Sequence, residues 1–189
     1  MGRHEAFAPE RFRLMDGREL IVRPIRPSDA AELQALAGRL SATALRLRFF
    51  SPITAARLAA LEKGRFFPRL ATVDFNEHAA WVAHFPGETA IRAVGRYQRL
   101  GDPEEAEIAF VVEDFLQGNG VCTELLHHLA AYARSSGIRR FVGIVLAENI
   151  GMVEVLRNSG YRYHFVSEGE LDRLTLDIGS AGEGMNALI

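Results

Sequence analysis

Apolar and polar residues alternate with a period of two from Glu105 to Val112, where Ile108, Phe110 and Val112 share one face. The period then changes. After the turn Gln117-Gly118-Asn119-Gly120, residues Val121, Leu125, Leu129 and Ala133 form a helical stripe that Gly137 ends. A strand, a glycine turn and an amphipathic helix in that order put free backbone N–H groups at a helix start. Glycine makes them reachable by a phosphate or pyrophosphate.

The rest of the pattern extends this unit in both directions. Asp16-Gly17 marks a turn, and Glu19 to Arg23 reads as a strand ended by Pro24. Ser28 or Asp29 is the expected N-cap of a helix striped by Leu33, Leu36, Ala37 and Leu40. Ser41 restarts a short helix through Arg48, and Thr54 to Lys63 reads as another. Phe66-Phe67-Pro68 reads as an apolar loop. Leu70 to Asp74, Ala79 to Phe85 and Ala90 to Leu100 read as strands, leading as an antiparallel meander into the central one. Arg140 to Leu146 follows a crossover and is expected to lie parallel to that strand. Asn149 to Ser159 reads as a helix closed by Gly160; Tyr161 to Val166 and Leu171 to Ile178 read as a hairpin. The pattern predicts one α/β domain over residues 13–178, with a mixed, mostly antiparallel sheet and helices on both faces. A flexible arm at 1–12 and a mobile tail at 179–189 are expected to flank it.

Composition narrows the classes. The 189 residues suffice for one domain with a substantial core, and 48% hydrophobic with 24% charged residues is ordinary for a globular chain. A net charge of -2 gives no reason to expect nucleic acid or an anionic membrane as partner. No stretch is long and apolar enough to span a bilayer, and the first residues lack the apolar segment of a secretory signal. The single cysteine, Cys122, excludes an internal disulfide and a multi-cysteine metal site. The expectation is a cytoplasmic protein without a metal, monomeric or homodimeric.

Three phosphate-binding readings compete for the central turn. A P-loop needs a lysine after its glycines, and none follows here. A dinucleotide fingerprint needs a third glycine where Thr123 stands, and it opens a βαβ unit rather than following a meander. The third is the Q/R-x-x-G-x-G/A pyrophosphate loop of acyl-CoA-dependent acetyltransferases. On this motif the chain resembles the GNAT N-acetyltransferase superfamily: Gln117, Gly118, Asn119, Gly120 and Val121 follow the hydrophobic strand Phe110-Val111-Val112. Downstream, Leu146-Ala147-Glu148-Asn149 and Ser159-Gly160-Tyr161 resemble the family's second stretch. The N-terminal run of Asp16-Gly17-Arg18, Arg23-Pro24-Ile25, Asp29 and Arg48-Phe49-Phe50-Ser51-Pro52 is similar to the bacterial protein-lysine acetyltransferase branch. Members of that branch often carry a fused acyl-CoA synthetase-like or cyclic-nucleotide-binding domain, for which this length is expected to leave no room.

The resemblance implies a sheet splayed at its central strands and acetyl-CoA as co-substrate. It implies that Gln117, Gly118, Asn119, Gly120, Val121, Cys122 and Thr123 bind the pyrophosphate. Phe110, Val111 and Val112 would pair with the pantetheine arm, which Asn149 and Met152 would also contact. Cys122 departs from the motif's glycine or alanine. It reads either as a small buried residue or as a thiol whose pKa a helix N-terminus lowers.

Acetyl transfer needs a neutral amine, and a lysine amine has a pKa near ~10.4, so a base must take its proton. Backbone N–H groups of a splayed strand can hold the developing oxyanion. Glu107, within Ala106-Glu107-Ile108, resembles the segment that carries the glutamate base in histone-type and bacterial lysine members. Its other reading is a solvated carboxylate on a polar strand face. A glutamate that some relatives carry on the next strand is Ile144 here, and the tyrosine that many use to protonate the leaving thiolate is Leu156. His127 and His128 read as structural or exposed. Arg96, Tyr97 and Arg99 either edge a substrate cleft or form a solvated face. The function expected is transfer of an acetyl group to a primary amine, of a protein lysine or a small molecule, in a ternary complex. The rivals are a degenerate domain that binds CoA as a regulatory or interaction module, and a dinucleotide-binding protein.

Overall fold

The computed structural model of the chain describes residues 8–50, 60–61 and 63–179. Its strands are β1 (Glu10–Arg13), β2 (Glu19–Pro24), β3 (His78–His84), β4 (Ile91–Arg99), β5 (Glu105–Val112), β6 (Arg140–Leu146), β7 (Arg162–Glu168) and β8 (Leu171–Asp177). The helices that matter below are α1 (Ala30–Arg39), α2 (Ala42–Phe49), α3 (Phe66–Ala71), α4 (Val121–Ser135) and α5 (Ile150–Ser159). All eight strands join one sheet in the order β1-β2-β3-β4-β5-β6-β8-β7. Every neighbouring pair is antiparallel except β5 and β6, which the α4 crossover makes parallel.

Helices cover both faces, as the pattern predicts. Leu125, Leu129 and Ala133 of α4 are fully buried, and the aromatic rings of Trp81, Tyr97, Tyr132 and Phe141 continue that core. On the other face Leu33 and Leu36 of α1, Leu45 of α2 and Phe67 of α3 lie over Val94 and Val111. The two layers are tied together at the end of β5. Glu113, only 7% exposed, accepts from Arg39 at 3.1 Å and from Arg92 at 3.2 Å. Asp114 accepts from the backbone N–H of Ser41 at 3.0 Å and also from its hydroxyl. Ser41 in turn caps α2, accepting from the N–H of Ala44 at 3.1 Å. The α1–α2 connection is therefore pinned where β5 ends.

Four local expectations are corrected. Glu10 to Phe12 belong to β1, not to a loose arm; Phe12 packs on the core, and Arg11 meets Glu19 at 2.9 Å. Asp29 precedes α1 but does not cap it with its side chain. Its carboxylate accepts instead from both terminal nitrogens of Arg23 at 2.8 Å and from the N–H of Arg26 at 2.8 Å. Phe66-Phe67-Pro68 opens α3 rather than forming a loop, because proline is tolerated in a first helical turn. Leu70 and Ala71 finish that helix, so no strand spans Leu70 to Asp74. Asp74 accepts from the N–H groups of Asn76, Glu77 and His78 at 2.9, 2.9 and 3.0 Å, a turn that feeds β3. The helix expected at Thr54 to Lys63 lies largely outside the described residues, as does the tail after Gly179.

Candidate active site

The parallel pairing of β5 with β6 covers three positions: Glu105 with Arg140, Ala106 with Phe141, and Glu107 with Val142. Beyond Val142, β6 keeps its pairing with β8, and β5 keeps its pairing with β4 as far as Val112. The sheet thus divides into two limbs that part immediately after Glu107. Backbone hydrogen bonds fix which groups face the gap. Glu105 accepts from Leu100 at 3.1 Å and Glu113 donates to Arg92 at 2.9 Å, so the odd-numbered residues of β5 bond β4. Ile108, Phe110 and Val112 turn their N–H and C=O groups the other way. A Cβ on Gly143 of β6 would lie 3.6 Å from the carbonyl oxygen of Ile108, which confirms that direction.

The gap opens into a cleft of about 590 Å³. Phe110, Val111 and Val112 line one side, Asn149 and Met152 the other, and Gln117, Gly118, Gly120, Val121, Cys122 and Thr123 the end. Sequence reasoning named all of these. It also named Asn119, which does not line the cleft; its side-chain amide donates to the carbonyl of Gln117 at 3.2 Å and shapes the turn. Gln117 donates its own amide to the carbonyl of Val112 at 3.1 Å, closing the strand end.

Gly118 and Gly120 have φ of 74° and 84°, a left-handed conformation that a side chain would strain. Gly120 leads into α4 with no side-chain cap, and the N–H of Glu124 makes the first intrahelical bond, to the Gly120 carbonyl at 3.0 Å. The N–H groups of Val121, Cys122 and Thr123 are thus left without an intrahelical partner, at the positive end of a fifteen-residue helix. Asn149 caps α5, its Oδ1 accepting from Met152 N at 3.1 Å, which leaves its NH2 to the cleft.

Cys122 is half-buried at the end of the cleft. Burial pushes its pKa up to about 12, against the lowering that a helix N-terminus would give. Leu156 is fully buried, in the core rather than the cleft. His127 lines the cleft and its Nε2 lies 3.0 Å from the carbonyl of Ser159; the buried His128 meets Glu124 at 3.2 Å. Among the described residues no cluster of histidine, cysteine and carboxylate side chains could hold a metal ion. No helix among them is long and apolar enough to cross a membrane.

Phe12, Leu47 and Arg48 are among the residues of the cleft that the sequence did not assign to it, although Arg48 opens a run that carries the family resemblance. Phe12 of β1 stands 3.3 Å from where a Gly120 Cβ would be. Leu47 and Arg48 enter from α2. They are brought in by long-range pairing, which no local pattern encodes. Arg46, also on α2, pairs with Glu148 before α5. Glu107 is exposed on the face opposite α4, at the vertex of the two limbs. It is near enough to Arg48 to stabilise that cation.

The geometry has counterparts among known proteins. The acetyltransferase (GNAT) domain model matches residues 19–162. The crystal structure of the GNAT domain of S. lividans PAT superposes with a TM-score of 0.74 at 34% identity, over 89% of this chain and 96% of that one. An acetyltransferase of Pseudomonas aeruginosa is 29% identical over 150 residues, 78% of this chain and 77% of its own. The acetyltransferase Pat of Mycolicibacterium smegmatis is 30% identical over 145 residues, 76% of this chain but only 41% of that protein. A strand pair that parts beside a glycine turn, over the length that the family model matches, leads to one assignment: the chain belongs to the GNAT acetyltransferase family.

Proposed function

We propose that this protein transfers an acetyl group from acetyl-CoA to a primary amine by direct attack within a ternary complex. The observation that carries the reading is the parting of β5 from β6 after Glu107, which turns the backbone of Phe110 and Val112 into a cleft ended by the N-terminus of α4. The pyrophosphate of the co-substrate would rest on the N–H groups around Gly118 to Thr123. Its pantetheine arm would run between Phe110–Val112 and Asn149, bringing the thioester toward the vertex. Glu107 would take a proton from the ammonium of the acceptor. The amine nitrogen then bonds to the thioester carbon as the carbon–sulfur bond breaks, and CoA leaves as the thiolate, which takes up the second proton that the nitrogen releases as the amide forms. A strand N–H at the vertex would hold the carbonyl oxygen as it gains charge. The amine is carried by a protein lysine or by a small molecule.

Incubation with acetyl-CoA and a panel of primary amines tests this by release of free CoA. Release that depends on an amine is expected. Calorimetric binding of acetyl-CoA without release by any amine would instead favour a second reading, a CoA-binding module without turnover. The burial of Leu156, where many relatives carry a tyrosine, motivates that reading.

A further inference from the structure

The face that carries Glu107 also carries two arginines. Arg96 pairs with Ala109, and Gln98 pairs with Glu107, in the β4–β5 ladder. Directly paired residues project to the same side, so Arg96, Gln98, Ala109 and Glu107 share a face. Arg48 descends from α2 onto that face. It lines both the cleft and a smaller adjoining pocket under α1, α2 and α3, where Arg96 is its only polar companion among the described residues.

These guanidiniums are unlike the other partly buried arginines of the chain. Arg23 is clamped by Asp29, and Arg39 and Arg92 share Glu113. Among the described residues no hydrogen bond or ion pair ties Arg48 or Arg96; the Arg48 guanidinium lies 5.1 Å from the centre of the Phe49 ring. Burial lowers the pKa of both. For Arg96 the charge of Arg48 adds to burial and brings it to about 10; for Arg48 the carboxylate of Glu107 opposes the shift. Among the described residues, two cations surrounded by leucine, phenylalanine and valine side chains, with one exposed carboxylate nearby, leave a positive charge uncompensated. Paired guanidiniums in an apolar site match the fork of a carboxylate. The space is small, about 70 Å³, roughly half of an engineered cavity that admits benzene. It suits a carboxylate on a short apolar stem rather than a whole residue.

We infer that Arg48 and Arg96 form an anion subsite for the acceptor, so that the amine presented to Glu107 belongs to a molecule carrying a carboxylate a few bonds away. This rests on the acetyl-transfer reading above. The carboxylate comes either from a free amino acid or from an acidic side chain beside a lysine in a polypeptide.

Two acceptor series separate these sources: free amino acids against their carboxamides, and lysine tripeptides flanked by aspartate against the same peptides flanked by alanine. The wild type should favour the carboxylate member of one series in kcat/KM by about 10- to 100-fold, the range of a buried charge-assisted hydrogen bond. Arg96→Gln should bring that ratio close to one, and Arg96→Lys, which keeps a cation, should retain part of it. A ratio of one in the wild type overturns the inference. So does a ratio that Arg96→Gln leaves intact, or an equal loss for every acceptor, which would make the arginines supports for Glu107 alone. If no amine is acetylated, the acetyl-transfer reading fails, and calorimetry with the same compounds decides the subsite. Heat from carboxylates but not from carboxamides, lost in Arg96→Gln, sustains it, and equal heats remove it.

Discussion

The ring of Phe110 fills the space that a Cβ on Gly95 would need, with its Cε1 2.8 Å and its Cδ1 2.9 Å from that position. The two residues are direct cross-strand partners on β5 and β4, and the Cβ of Leu125 closes the site from α4 at 3.2 Å. A planar ring held between a strand and a helix cannot retreat as a flexible side chain would. Gly95→Ala should therefore cost about 1–3 kcal/mol by overpacking. A chain of this size should lose roughly 2–4 °C of Tm for each kcal/mol, read by thermal unfolding. Because Phe110 also lines the cleft, the same change should weaken acetyl-CoA binding in calorimetry. An unshifted Tm would mean that the ring moves freely.

Cys122 supplies a prediction of opposite character, since it concerns a thiol whose pKa desolvation raises. Its pKa is raised by burial from an ordinary value near 9 to about 12. At pH 8 the thiol is protonated in the folded chain, and iodoacetamide should label it far more slowly than in the chain unfolded by urea. The sign of the stability effect follows. The unfolded thiol loses its proton first, so the folded state is favoured fully below pH 9 and loses that advantage as pH rises toward 12. Cys122→Ala should flatten the alkaline limb of a stability–pH curve. Equal labelling rates in the folded and unfolded protein would refute the assignment.

The buried pair Arg23–Asp29 acts at the other end of the pH scale. Burial works to raise the Asp29 carboxyl, but the hydrogen bonds from Arg23 and from the Arg26 N–H outweigh it and leave the value lowered. The stability this contributes is present above the ordinary carboxylate value near 4 and is lost as pH falls through the lower folded value. Asp29→Asn strands the Arg23 cation, and about 3–5 kcal/mol should be lost at neutral pH. Acid titration followed by circular dichroism should show a flatter limb below pH 4 than in the wild type.

The sequence made the central unit legible because three local signals coincide there. The period-two run ends at Val112, two glycines take left-handed φ, and a period-3.6 stripe begins at Val121. Almost every residue proposed for the cleft from that unit lines it. Phe12, Leu47 and Arg48 escaped because their roles come from β1 joining the sheet edge and α2 being pinned to Asp114, contacts far apart in the chain. Asp29 escaped for a related reason. Its position suggests a helix cap, but Arg23, six residues earlier on a strand, competes for the same carboxylate and takes it. Phe66-Phe67-Pro68 misled because proline marks a break in isolation, although a first helical turn has no use for its missing N–H.

Glu107 gives the prediction on which the proposed chemistry depends. It is the last β5 residue paired with β6, exposed, and close enough to Arg48 for its carboxylate to stabilise that cation. If it removes the acceptor proton, Glu107→Gln should lower kcat at pH 7 by about 10²–10⁴-fold at saturating amine. Acetyl-CoA binding, measured by calorimetry, should be retained, because the side chain is not among those that line the cleft. The pH dependence separates a base from a merely structural carboxylate. A primary amine with pKa near ~10.4 supplies its own neutral form as pH rises, so the need for a base fades. The ratio of wild-type to variant rate should fall steeply between pH 7 and pH 10. A structural role would leave that ratio constant across the range, and a variant as fast as the wild type at pH 7 would take Glu107 out of the mechanism.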